Sequence, residues 1–399
     1  MNNPADVTIA GHPFASIGMG DQMRSGIKAL QAAHIPVNAF DVFRYASRTD
    51  QDHHNLIDPI ETTKLDGKIR VFHINGNEID PVLAHLAAAG HDFNNGYNIV
   101  VPAWELPNYP GEWLKQVEKF DEVWAISKFV QGIFARSGLT AHHVSQNIEV
   151  PIRPLLPRSY FGIRESAFVL LNFFDLTSYS QRKNPEAAVT LFKRLQKSRP
   201  FADLQLVLKV KDGDKNADDW AAAGVEHSSD VLILRKAYST YETHSLIGAC
   251  NCLVSLHRSE GFGRGTGEAM FLGRLAMATG WSGNVDYMTA QNSLLVNYSL
   301  IPTKSDDYPF AEGQHWAEPD IDHAEFLMTR AIDDQVFARK LASRGRHDVI
   351  RTVSARPVGL AMASRLKEIL HSKLTESKPM RRRESQRATE NQAKRRSGA

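Results

Sequence analysis

The sequence predicts an α/β protein of two Rossmann-like, doubly wound domains that face a central cleft. Three observations predict it. Short β-branched runs alternate with amphipathic stretches along almost the whole chain, the pattern of parallel sheets covered by helices. A proline-rich stretch at residues 150–159 (VPIRPLLPRS) interrupts the alternation once. The length of 399 residues accommodates two α/β domains of ordinary size.

In the first series, strands are expected at residues 7–10, 37–42, 69–74, 97–101, 122–126 and 143–149. A helix is expected over 22–33, where Met23, Ile27 and Leu30 recur at helical spacing. Proline fixes φ and lacks an amide donor, so 150–159 suits an extended linker. The second series places strands at 168–174, 204–210, 231–234, 252–256, 275–279 and 294–296, with helices at 185–197 and 239–249. Residues 300–318 read as a long loop, and 320–343 return to helix. The expected division is a first domain over 1–155, a second over 156–350, a helix over 351–375 packing back across the cleft, and a tail over 376–399.

Composition narrows the class. Hydrophobic residues make up 42% and charged residues 23%, as in soluble globular proteins. No apolar run approaches the ~20 residues that span a bilayer, and the opening residues lack the basic start and apolar core of a signal peptide. The two cysteines, Cys250 and Cys252, sit in an apolar stretch and read as small core residues in a reducing compartment. A cytoplasmic location is therefore expected. The net charge of +2 conceals an asymmetry: residues 378–399 carry eight basic and two acidic side chains, leaving −4 on the rest. That tail has too few apolar residues to bury a core and reads as disordered. It is either simply solvated or drawn to anionic lipid headgroups at the inner face of a membrane. Nucleic acid is not an expected partner, because no aromatic side chain is interleaved with the charges.

The segment LVSLHRSEGFGRGTGEAMFLG reads as strand, glycine-rich turn and helix. Free amides at a helix start favour an anion, and glycines let a ligand approach the backbone. Carboxylates accept hydrogen bonds from paired hydroxyls. Glu260 before the turn and Glu268 on the helix therefore suit a sugar and a ribose on either side of a diphosphate.

This segment, with its Glu260–Gly261–Phe262–Gly263 start and Glu268–Ala269 sequel, resembles the E-G-F-G-x-x-x-x-E-A signature of retaining glycosyltransferase family 4, which has the glycosyltransferase B fold. FDEVWAISKFVQGIF, FVLLNFFDLTSYSQRKNPEAAVTLF and HWAEPDIDHAEFLM resemble three further segments of that family, in the family's order over residues 70–345. The resemblance implies transfer of a hexose from a nucleotide-diphosphate sugar to a hydroxyl of a glycan or lipid-linked saccharide, with retention and without a metal or other cofactor. It implies that Glu268 binds the nucleotide ribose, that Glu260 faces the transferred sugar, and that amides near Gly261, Phe262 and Gly263 contact sugar and phosphate. Arg182 and Lys183 would hold the diphosphate and stabilise it as it leaves, since a departing nucleoside diphosphate gains charge. Arg264 stands where the family commonly has an apolar residue; it either adds a phosphate contact or points away. Arg274 replaces the family's usual proline.

In the first domain, Gly18 and Gly20 are candidates for a donor-phosphate loop, and His73, at a strand end, for a contact to the donor sugar. Asn75, Asn77, Glu78, Trp104 and Glu105 are candidate acceptor contacts; a tryptophan stacks on sugar faces or serves as packing. Asp212-Gly213-Asp214 has the form of a metal-binding DxD but equally of a turn, and no Cys–His spacing resembles a zinc site. Two alternatives to transfer stand beside it: a non-catalytic nucleotide-sugar-binding assembly subunit, and a nucleotide-sugar epimerase.

Overall fold

A computed structural model describes residues 5–44, 48–175, 179–211 and 228–372. The Asp212-Gly213-Asp214 motif and the basic tail over 376–399 lie outside the described residues.

The first sheet holds β1 (Val7–Gly11), β2 (Val37–Asp41), β3 (Glu61–Thr62), β4 (Ile69–Phe72), β5 (Tyr97–Val100), β6 (Glu122–Ala125) and β7 (Ala141–His143). They are all parallel, in the order β3-β2-β1-β4-β5-β6-β7. The second holds β8 (Phe168–Asp175), β9 (Leu204–Lys211), β10 (Val231–Leu234), β11 (Cys252–Ser255), β12 (Leu275–Thr279) and β13 (Leu294–Val296), also parallel, in the order β10-β9-β8-β11-β12-β13. Strands β1, β4 and β12 are buried throughout, which is why apolar residues dominate them, with Thr8, Arg70 and Thr279 as the buried polar exceptions. The fold class is the expected one.

Each sheet reverses its strand order once, between β1 and β4 and between β8 and β11. Loops leaving the C-terminal ends of those strand pairs diverge to opposite faces and open a crevice. Arg182 and Lys183 follow β8, and Glu260 follows β11. Sheet topology therefore gathers residues that are far apart in sequence.

Several expectations need correction. Residues 300–318 are not loop throughout: β14 (Tyr298–Pro302) and β15 (His315–Pro319) form an antiparallel hairpin, Tyr298 facing Pro319, and only 303–314 remain as a long connection. Most of β14 is exposed on both faces, so it carries no apolar alternation to betray it. The strand expected at 143–149 ends at His143. The helix expected at 22–33 runs over Gly18–Ala32, so Gly18 and Gly20 lie on its first turn and not in a loop. The helix expected at 320–343 is two, Ile321–Asp333 and Gln335–Val353, divided where the Asp334 carboxylate caps the second through the amides of Val336 and Phe337. The glycine-rich helix runs over Arg264–Phe271.

The chain passes between the sheets twice, side by side. The Ile148 amide donates to the Val353 carbonyl at 2.7 Å, and the Ala355 amide to the Glu149 carboxylate at 3.1 Å. The final helix, Ala355–Ser372, then packs along the Gly18–Ala32 helix. The two backbones approach so closely at Gly359 that a Cβ there would sit 1.9 Å from the Ala29 carbonyl oxygen. Arg365 fastens the same helix by bonding both carboxylate oxygens of buried Glu122, at 2.9 and 2.7 Å.

Candidate active site

A cavity of about 630 Å³ lies between the two sheets. Its floor on the second domain comes from the ends of β8 and β11 and from the glycine-rich turn; its other wall comes from the Gly18–Ala32 helix and the loops after β4 and β5.

The charged centre is a cluster of four side chains. Lys183 Nζ pairs with Glu260 Oε1, and Arg182 Nη1 stands 3.4 Å from Glu260 Oε2. The same Arg182 Nη1 donates to the Ser259 carbonyl at 3.0 Å. Glu105, from the other domain, approaches Arg182 Nη2 at 3.9 Å and accepts from the Tyr308 hydroxyl at 2.5 Å. Burial works against the charge on Glu260, but Lys183 and Arg182 outweigh it and hold the carboxyl at about 2. Burial likewise opposes the charge on Arg182, and Glu105 and Glu260 outweigh it, keeping the guanidinium above its ordinary range. Glu260 and Arg182 are thus ionised and held in place before any ligand arrives.

The turn that carries Glu260 is braced from below. The Glu260 amide donates to Ser282 Oγ at 2.9 Å, and the Gly283 amide to the Glu260 carbonyl at 2.9 Å. A Cβ on Gly283 would lie 2.0 Å from the Gly261 carbonyl oxygen, so that residue must be glycine for the two loops to meet. His257, fully buried between them, is kept below its ordinary value by burial. Three bonds from the first domain close the site from above. Ser127 Oγ donates to the Gly261 carbonyl at 2.6 Å, the Lys128 amide to Asp286 Oδ2 at 2.8 Å, and the Asn108 amide to Gln314 Oε1 at 2.8 Å.

Of the residues singled out in the sequence, Gly18, Asn75, Asn77, Trp104, Glu105, Arg182, Lys183, Glu260, Gly261, Phe262, Gly263 and Arg264 line this cavity. His73, Gly20, Glu78 and Glu268 do not. His73 lies behind Gln22, whose Nε2 is 3.2 Å from His73 Nδ1 and also donates to the Val101 carbonyl. Complete burial brings the imidazole down to about 3, so it is neutral, and it does not line the cavity. Gly20 packs under the loop, where a Cβ would meet the Ala15 carbonyl at 2.2 Å. Glu268 sits behind Arg264, whose Nε contacts its Oε1 at 2.8 Å. Trp104 spends its ring on Tyr109, Trp113 and Tyr308 and its Nε1 on the Asn108 carbonyl, leaving no free face for stacking. Asn75 Oδ1 accepts from the Ala103 amide at 3.0 Å.

Sequence reasoning missed Tyr308, Tyr179 and Gln22. Tyr308 lies in the connection of the unpredicted hairpin, and only the fold brings it beside Glu105 and Tyr179. Among the described residues, no group of three or more His, Cys, Asp and Glu side chains is arranged to hold a metal ion, and no helix is long and apolar enough to cross a membrane.

No family model and no curated protein sequence matches the chain. Solved structures do. Sucrose-phosphate synthase from Thermosynechococcus elongatus aligns with a TM-score of 0.64 at 14% identity, over 92% of this chain and 99% of its own. The shared fold is that of the B-type glycosyltransferases. A glycosyltransferase from Rickettsia africae gives 0.61 at 13% identity, covering 92% and 99%. Anabaena HepE (Alr3699), in complex with UDP and glucose, gives 0.61 at 14% identity, covering 91% and 99%.

Proposed function

We propose that the chain is a glycosyltransferase that moves a hexose from a nucleotide-diphosphate sugar to a hydroxyl of a glycan or lipid-linked saccharide, with retention of configuration and without a metal. The observation that carries it is the Arg182–Lys183–Glu260 cluster, with Arg182 and Glu260 buried, at the point where the second sheet reverses strand order. A diphosphate that departs from a sugar gains negative charge, and a cationic pair already fixed in the cleft stabilises that gain without reorganising. Glu260 keeps the two cations from repelling each other before a donor binds, and lies where the sugar would sit. The crystallisation of HepE with UDP and with UDP-glucose makes uridine donors the first to try. The basic tail supports a membrane-surface acceptor.

The test is turnover of radiolabelled nucleotide sugars by the purified chain, with chelator present, followed by product analysis. Release of sugar to water or to an added saccharide supports transfer. Interconversion of the donor sugar without acceptor would indicate an epimerase, and binding without turnover an assembly subunit. A chain that neither binds nor consumes any nucleotide sugar overturns the proposal.

A further inference from the structure

Gln22 offers the cavity a hydrogen-bond acceptor that nothing in the protein uses. It sits on the Gly18–Ala32 helix and lines the cavity, although it is only 4% exposed. Its Nε2 donates to the Val101 carbonyl at 2.7 Å and lies 3.2 Å from His73 Nδ1. A primary amide nitrogen has a pair of protons, and these contacts spend both. The partners are themselves fixed: the His73 amide donates to the Ala10 carbonyl and the Val101 amide to the Phe72 carbonyl, each at 2.8 Å. The amide cannot turn over, because Oε1 in place of Nε2 would face the Val101 carbonyl, acceptor against acceptor. His73, neutral through burial, accepts at Nδ1 and keeps its ring proton on Nε2.

The other end of the amide is left over. Gln22 Oε1 has no hydrogen-bond partner among the described residues, and protein does not seal it in. The little surface that Gln22 exposes opens on the cavity it lines. Neighbouring acceptors are already engaged: Glu260 by Lys183 and Arg182, Glu105 by Tyr308, and Asn75 Oδ1 by the Ala103 amide.

The chemistry of the missing partner follows from the atom. A carbonyl oxygen needs a donor, and an ionised diphosphate offers only acceptors, so a phosphate oxygen here would be repelled. A sugar carries hydroxyl donors around its ring. An acceptor oxygen locked in place also loses little freedom when a ligand binds, and it disfavours a ligand that lacks the matching hydroxyl.

We infer that Gln22 is a sugar-specificity contact: its Oε1 accepts a hydrogen bond from a hydroxyl of the transferred hexose or of the acceptor saccharide. This role rests on the donor site proposed above. His73 and the Val101 carbonyl are the groups that position the amide for it.

Calorimetric titration of the full chain with UDP-glucose, UDP-N-acetylglucosamine, GDP-mannose, ADP-glucose and dTDP-glucose selects the tightest binder. That nucleotide sugar and its parent nucleoside diphosphate are then titrated into Gln22→Leu. Transfer to a mixture of the methyl glycosides of glucose, galactose, mannose and N-acetylglucosamine is measured against hydrolysis by water. If the hydroxyl belongs to the donor hexose, the nucleotide sugar should bind about three- to tenfold more weakly, the loss of one neutral hydrogen bond, while the nucleoside diphosphate binds as before. If it belongs to the acceptor, both affinities should hold and the ratio of transfer to hydrolysis should fall by a similar factor. Gln22→Met, closer in shape, serves should the leucine variant fail to fold by circular dichroism. Equal losses for nucleotide sugar and nucleoside diphosphate overturn the inference, because they place the damage in the fold or in a base or phosphate contact. Unchanged affinities with an unchanged ratio also overturn it; where no glycoside accepts, unchanged affinities alone do so. Failure of the unmodified chain to bind any of these nucleotide sugars would remove the donor-site reading itself, a result distinct from binding that ignores Gln22.

Discussion

Replacing Glu260 with glutamine tests the charged cluster at its centre. The substitution keeps shape but deletes the negative charge that, among the described residues, pairs with both Arg182 and Lys183. The depression of Glu260 from 4.5 to about 2 corresponds, at about 1.4 kcal/mol per pH unit, to roughly 3 kcal/mol of stability at neutral pH. Removing one partner of a buried pair costs about 3–5 kcal/mol in general. Two features pull this case toward the lower end: Lys183 retains 25% side-chain exposure and can reach water, and Arg182 keeps the Ser259 carbonyl and Glu105. The expected loss is therefore about 2–3 kcal/mol, or a urea midpoint lower by about 1 M if the transition has a slope of roughly 2–3 kcal/mol per M. The sign with pH is fixed. A carboxyl held below its unfolded value contributes fully above about pH 5, and the contribution fades as pH falls toward 2. Urea titrations of both proteins, followed by tryptophan fluorescence at several pH values, should show the gap at pH 7 shrinking toward pH 3. Coincident midpoints at pH 7, or a gap that does not narrow in acid, would refute the account of the cluster.

Further outcomes follow from the same contacts. Lys183→Met should lower the rate of sugar release by about a hundredfold or more with a smaller change in KM, as for loss of one preorganised donor to a leaving group, read in steady-state kinetics with the best donor. Gly359→Ala forces the final helix off Ala29 and should lower the melting temperature by several degrees, measured by calorimetry; an unchanged melt would contradict the close approach. Arg365→Ala leaves Glu122 buried without its bidentate partner and should cost about 3 kcal/mol in denaturant titrations at pH 7. Because burial keeps His73 near 3 and behind Gln22, His73→Gln should leave the shape of the pH–rate profile above pH 5 unchanged; a lost inflection near neutrality would bring that histidine back into the chemistry.

The parallel sheets were legible because most of their strands are short, largely buried and dominated by apolar and β-branched residues that alternate with helical periods. The hairpin of β14 and β15 was hidden because Tyr298, Ser299 and Leu300 are exposed, so no periodicity marks a strand held by backbone bonds to its neighbour. Glu260 stood out because a glycine-rich turn is a local feature, whereas Arg182 and Lys183 were marked only by the resemblance to family 4 glycosyltransferases. His73, by contrast, was legible only as a strand-end histidine. Which side of the strand end faces the cleft depends on Gln22 and on where the Gly18–Ala32 helix settles, and neither is encoded near residue 73.

The sequence by itself determined the alternation of elements, the glycine-rich turn and the residue types available for a phosphorylated ligand. Tertiary structure alone decided which of those residues meet. It brought Glu105 and Tyr308 from opposite domains onto Arg182, buried His73, and placed Arg264 between Glu268 and the cavity. The physical reason is that hydrophobic periodicity is written in neighbours a few positions apart, whereas a buried charge is stable only beside partners that packing delivers, and those partners lie far away along the chain.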